Sequence, residues 1–96
     1  MTGTTAEVAL TGELDISTYE DAQAQLAAAE RGGPELLVVD LAGLHFVDST
    51  GVRLILSADH RAREAGRRLA LRLGDGSARR VFTALGLVDR FEVLDG

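Results

Sequence analysis

The chain reads as an α/β protein, with a largely parallel sheet whose strands alternate with helices. Three observations predict this. Short segments of alternating or continuous apolar residues are interleaved with segments whose apolar residues recur every three to four positions. The run Leu36-Leu37-Val38-Val39 has no polar break, as expected for a strand covered on both sides or central in a sheet. The helical segments stop at glycine, at Gly32-Gly33-Pro34, Gly66 and Gly86.

Taken in order, Met1 to Thr4 are polar and are expected to fray. From Thr5 the set Ala6, Val8 and Leu10 falls on one face of a first strand ending near Gly12. Ser17 with Glu20 three residues on fits a capping box, so a helix is expected to start there, with Tyr19, Ala22, Leu26 and Ala29 facing inward. Leu36 to Leu41 is the central strand. Ala42 to Val47 reads as a connecting loop, anchored to the core by Leu44, Phe46 and Val47. A second helix is expected from about Ser49 to Ala65, its inner side formed by Val52, Ile55, Leu56, Ala58, Ala62 and Ala65. A strand over Leu69 to Leu73 follows. Ala78, Val81, Phe82 and Leu85 mark a short third helix, and Phe91 to Leu94 a last strand. The connections suit parallel pairing, with room for an antiparallel edge.

Ninety-six residues make one domain, residues 1–96, which at this size buries only about 60–65% of the surface of its unfolded form. The core is therefore small. A net charge of −5 argues against direct nucleic-acid binding, and no apolar run is long enough for membrane insertion. There is no cysteine, which excludes disulfides and thiolate sites, and the start of the chain lacks the layout of a signal peptide. The reading is cytoplasmic. His45 and His60 have no ligand-like spacing, so neither metal nor cofactor is expected.

Asp48-Ser49-Thr50-Gly51 is the strongest local signal. It stands where a strand gives way to a helix, a junction with unpaired backbone N–H groups and a positive dipole end that would stabilise an anion. In its plain structural role, Asp48 or Ser49 caps the helix and Gly51 lets it pack close to the sheet. In its functional role, the hydroxyl is a phospho-acceptor whose modification changes the surface while the fold survives. A catalytic serine is not expected, because no histidine and acid can be placed around Ser49 and no nucleophile-elbow motif occurs. Asp15, closing Gly12-Glu13-Leu14-Asp15, is either a solvated turn residue or, with Asp48, an acid near the hydroxyl that helps hold a kinase's Mg2+. The basic run His60 to Arg68 is explained by the negative end of a helix, with a contact patch as the alternative; Arg79-Arg80 has the same standing.

Four blocks carry a family resemblance: Leu10-Thr11-Gly12-Glu13-Leu14-Asp15, Leu37-Val38-Val39-Asp40-Leu41, Phe46-Val47-Asp48-Ser49-Thr50-Gly51-Val52 and Val81-Phe82-Thr83-Ala84-Leu85-Gly86-Leu87. In this order the chain resembles a STAS domain, in particular the bacterial anti-sigma factor antagonists. The resemblance implies a non-enzymatic regulator that binds an anti-sigma factor serine kinase and so frees a sigma factor for transcription. It further implies phosphorylation at Ser49, with Thr50 second, by that kinase, and reversal by a PP2C-like phosphatase. The expected partner surface is Asp15, Asp48, Ser49, Thr50, Gly51 and Arg53. A STAS scaffold or accessory subunit of a lipid-transport or stress-signalling complex, without a phospho-switch, is the alternative.

The chain departs from that family pattern in two places. Many members continue Leu-Gly after the motif glycine, whereas Val52-Arg53 places a large cation on the first turn. The usual extra N-terminal strand and last helix are also expected to be lacking, which would expose a sheet edge. Self-association through that edge is the corresponding hypothesis; a monomer mass in solution at both low and high protein concentration would remove it.

Overall fold

The structure, a computed structural model, describes residues 4–95. Its elements are β1 (Thr5–Ala9), β2 (Gly12–Leu14), α1 (Tyr19–Arg31), β3 (Leu36–Asp40), β4 (Leu44–Val47), α2 (Ser49–Glu64), β5 (Arg68–Arg72), α3 (Ser77–Ala84), a single 3-10 turn (Val88–Arg90) and β6 (Glu92–Val93). Four strands form one sheet in the order β1-β3-β5-β6, and every pairing is parallel. β3 is central as expected, and the antiparallel edge is not needed.

Leu44 to Val47, expected as a loop, is a strand. It pairs in parallel with β2 in a separate ribbon. The pairing runs Gly12 to Leu44 and then Glu13 to Phe46, so His45 is an extra residue on β4, a bulge. That bulge explains why the segment escapes a period-two reading: Leu44 and Val47, three apart, both turn inward while Phe46 is 48% exposed rather than an anchor. The ribbon continues the β1–β3 pair beyond a break: Leu10 N–H still donates to Asp40 carbonyl at 2.9 Å, after which Gly12, at φ 80°, turns the chain.

The start of α1 also differs. Thr18, not Ser17, precedes the helix, and no side chain caps it. The Ser17 hydroxyl and amide both donate to Asp15 Oδ1, at 2.6 and 2.9 Å, while the Thr18 hydroxyl donates to Glu13 carbonyl at 2.8 Å. The polar side chains are used to close the tight turn Asp15 to Thr18, which competes with capping. Thr4, expected to fray, has its carbonyl bonded by Glu35 and Leu36 amides at 3.0 and 3.1 Å; the rest of the expected fraying, Met1 to Gly3, lies outside the described residues.

Ala22 and Leu26 of α1 and Val52, Leu54, Ile55, Ala58 and Ala62 of α2 pack with Leu37, Val39, Leu69 and Leu71 of the sheet. Phe82 of α3 completes this core, edge-on to Phe91 with centroids 5.8 Å apart. Leu56 is only half-buried and Ala65 is exposed, whereas Leu54 and Asp59 are buried, so the inner face of α2 is rotated from the expected one. On the other face of the sheet Val38 and Ala70 are flanked by the ion pairs Arg72–Glu7, at 3.6 Å, and Arg68–Glu92, at 2.5 Å.

The basic run is tied down more than a dipole effect requires. Arg61 makes a bidentate pair with Glu30 of α1 at 2.8 and 2.9 Å, and Arg67 donates to Pro34 carbonyl at 3.0 Å. Arg63 and Arg90 both approach Asp59, at 2.9 and 3.4 Å. Asp59 is therefore a buried acid neutralised from two elements, and it escaped the sequence reading because helical period alone does not reveal a charge drawn inward by its partners.

The C-terminal segment is latched by Asp95. Its carboxylate accepts from Leu73 and Gly74 amides at 3.0 and 2.7 Å, with Arg79 at 3.6 Å. The Leu73 amide foremost, then that of Gly74, holds this carboxyl below its ordinary value of 3.8. A depressed acid contributes stability that is present above the unfolded value and is lost as pH falls through the folded one. Acidification from about pH 5 to about pH 2 should therefore lower the urea midpoint, and Asp95→Asn should flatten that fall. An unchanged acid profile in Asp95→Asn would show that the latch does not couple to folding.

Candidate functional site

The chain leaves β4 at Val47 and enters α2 through one residue, Asp48, whose backbone is extended (φ −112°, ψ −172°). Its amide donates to Leu14 carbonyl at 3.3 Å, holding the ends of β2 and β4 together. Asp48 Oδ1 accepts from Thr50 and Gly51 amides, at 2.9 and 3.1 Å, which is an N-cap. The expectation that free N–H groups await an anion here needs correction, since Asp48 already holds two of them.

Gly51 has a steric reason. A Cβ built on it would stand 2.8 Å from Leu14 Cγ and 2.9 Å from Leu14 carbonyl, so only glycine lets the first turn of α2 rest on β2. Gly51 and Val52 are buried, Thr50 is half-buried, and Ser49 and Arg53 are exposed. The motif thus divides into residues that build the junction, Asp48 and Gly51, and residues that face outward.

Because Leu14 is in register with Val47, Asp15 leaves the same end of the ribbon as Asp48. Ser17, foremost through its hydroxyl, holds the Asp15 carboxyl below its ordinary value. Both acids are thus engaged by their own chain, and among the described residues no group of three or more acids, histidines or cysteines could hold a metal ion. Ile16 follows, 81% exposed. Period two would turn it inward after Leu14; the turn at Asp15 swings it out instead, and for that reason its exposure is not legible from the pattern. A shallow groove of about 480 Å³ runs beside it, lined by Ile16, Tyr19, Glu20, Thr50, Arg53 and Ser57. Structure thus brings Thr50 and Arg53 together with an exposed aliphatic side chain, on the surface that also carries Ser49. His60 lies 3.5 Å from Glu64, far along α2, and His45 sits on β4; neither is hydrogen-bonded to Ser49.

The family described as "Mlab, STAS domain" matches residues 1–94, and the chain belongs to the STAS domain family. No curated protein gives a significant match. Among solved structures, an anti-sigma factor antagonist from Mycobacterium paratuberculosis is similar at a TM-score of 0.79 and 24% identity, over 97% of this chain and 79% of that one. The anti-sigma factor antagonist SpoIIAA in its unphosphorylated form is similar at a TM-score of 0.72 and 26% identity, over 100% and 84%. A sulfate transporter family protein from Wolinella succinogenes shares the fold at a TM-score of 0.77 and 15% identity, over 95% and 76%. Among the described residues no helix is long and apolar enough to cross a membrane.

The contact at Gly51 makes a direct prediction. Gly51→Ala should destabilise the chain, because overpacking costs about 1–3 kcal/mol against a helix-propensity gain of about 1 kcal/mol. A urea midpoint at or above that of the wild type would mean that Leu14 yields freely and that the close approach is not a constraint.

Proposed function

We propose that the chain is an anti-sigma factor antagonist that binds an anti-sigma factor serine kinase through the surface of Asp15, Ile16, Asp48, Ser49, Thr50 and Arg53. Phosphorylation at Ser49, with Thr50 as the secondary acceptor, releases it. The observation that carries this reading is the placement of Ser49: an exposed hydroxyl on the first residue of α2, taking no part in the junction, at the end of the ribbon where exposed Ile16 also emerges. Whole-chain similarity to SpoIIAA supports it.

In the transfer, Ser49 Oγ bonds to the γ-phosphorus of the kinase's ATP, ADP leaves and the hydroxyl proton is lost. The surface gains roughly −1.5 to −2 charges. An interface that accepts a neutral hydroxyl beside Asp48 must then desolvate a dianion next to a carboxylate, which opposes binding. A PP2C-like phosphatase reverses the change. No cofactor is required of this chain, and its own role is binding rather than catalysis.

The second reading is a scaffold or accessory subunit of a lipid-transport or stress-signalling complex, in which the same surface is a fixed interface. The match to the family described as "Mlab, STAS domain" favours it.

Intact-mass analysis after incubation with ATP, Mg2+ and candidate anti-sigma kinases separates the two. The expected result is a gain of one phosphate that maps to Ser49 and is lost in Ser49→Ala. In binding assays Ser49→Asp should weaken the complex at least about tenfold, a change of about 1.4 kcal/mol, while Ser49→Ala stays bound in the presence of ATP. Absence of phosphate with every kinase, from a sample shown to be folded, favours the subunit reading.

A further inference from the structure

We infer that Arg53 is the internal counter-ion of a phosphate on Ser49, an inference that rests on the phospho-switch reading above. The starting point is what the helix end cannot supply. Asp48 Oδ1 already takes the Thr50 and Gly51 amides, and Val52 amide bonds to Asp48 carbonyl at 3.0 Å. A phosphate on Ser49 would therefore find the backbone donors largely used and a carboxylate next to it. A dianion so placed needs a cation from elsewhere.

Arg53 is placed to provide one. It lies four residues after Ser49, and both are exposed. Positions i and i+4 of a helix stand about 5–6 Å apart at Cβ, and long helical side chains lean back toward the N-terminus, here toward Ser49. Arg53 is also uncommitted: among the described residues it makes no ion pair, whereas its neighbours on α2 are engaged, Arg61 with Glu30 and Arg63 with Asp59. Glu20 lines the same groove but is beyond ion-pair distance. A phosphate carries more charge than that carboxylate and offers a planar guanidinium two acceptor oxygens at once.

The consequence is a double change at one site. In the unmodified chain Arg53 lines the groove beside Ile16 and Thr50, open to an acidic group of the partner. Phosphorylation adds the negative charge and draws Arg53 onto it, so the groove loses its cation as the surface gains a dianion. The modified helix holds its own charge and keeps its fold.

Phosphoserine can be incorporated at position 49 during translation, with no kinase involved, in chains carrying Arg53 or Arg53→Gln. Urea unfolding of these two and of their unmodified counterparts forms a cycle. Arg53→Gln should lower the folded-to-unfolded ratio of the phosphorylated chain at least about twofold more than that of the unmodified one. By 31P NMR the second ionisation of the phosphate, on a surface that also carries Asp15, Asp48 and the Glu20 of the groove, should move up in Arg53→Gln and return with Arg53→Lys. Equal effects of Arg53→Gln with and without phosphate, together with an unmoved phosphate ionisation, would overturn the inference. Kinase labelling of Ser49 with a null cycle removes only the role of Arg53; a positive cycle with no kinase labelling removes only the switch.

Discussion

The arrangement depends on one close approach, the first turn of α2 resting on Leu14 of β2. Gly51 permits it by having no Cβ, and the Asp48 amide fixes it by donating to Leu14 carbonyl. From this contact the rest of the site follows. The end of β2 must lie beside the start of α2, so Asp15 and Ile16 emerge where Ser49, Thr50 and Arg53 emerge. A side chain at position 51 would push the helix away and separate the surface into two unrelated pieces. The site is thus a product of backbone packing before any of its outward side chains is considered.

Charge is distributed with comparable economy. In an acidic chain whose cations are all arginine, the guanidinium groups serve as multidentate ties: Arg61 joins α2 to α1, Arg67 reaches the Pro34 carbonyl before β3, and Arg63 and Arg90 converge on buried Asp59. Planar, permanently charged donors suit this task, because Arg61, Arg67 and Arg90 each reach an acceptor outside their own element while Arg63 holds Asp59 from within α2. Of the three arginines of α2, Arg53 is the one that makes no such tie among the described residues, and it stands at the end of the helix that carries the hydroxyl.

Much of the fold was legible in the sequence because strong apolar periodicity has few structural solutions: Leu36 to Asp40 is central, and the glycine stops delimit the helices. What escaped shares one cause, local geometry that breaks a period. The bulge at His45 turned a strand into an apparent loop and sent Phe46 outward; the turn closed by Asp15, Ser17 and Thr18 displaced the capping box and exposed Ile16; ion pairing drew Asp59 inward. At the site, Asp48-Ser49-Thr50-Gly51 was legible as a motif, and its plain structural role, a cap followed by a close approach at Gly51, is what the structure shows. Which of Asp48 and Ser49 caps was left open, and the contact that requires Gly51 was not legible, since it is made by Leu14, thirty-four residues before Asp48 in the chain.

The motif's division into junction and outward-facing residues bears on the switch proposed at Ser49. A modified residue that also supports the fold would couple signalling to unfolding, and a chain of this size has little stability to lose. Here the cap is Asp48 and the close contact is Gly51, so the hydroxyl between them is structurally idle. The same fold occurs in anti-sigma factor antagonists and in a sulfate transporter family protein, so the fold alone selects neither use. Selection falls to the outward residues of the junction. A neutral hydroxyl, an exposed isoleucine and an arginine with no ion pair among the described residues stand with Asp15 and Asp48 on a surface to which one phosphate would add about −1.5 to −2 charges without moving the strands beneath it.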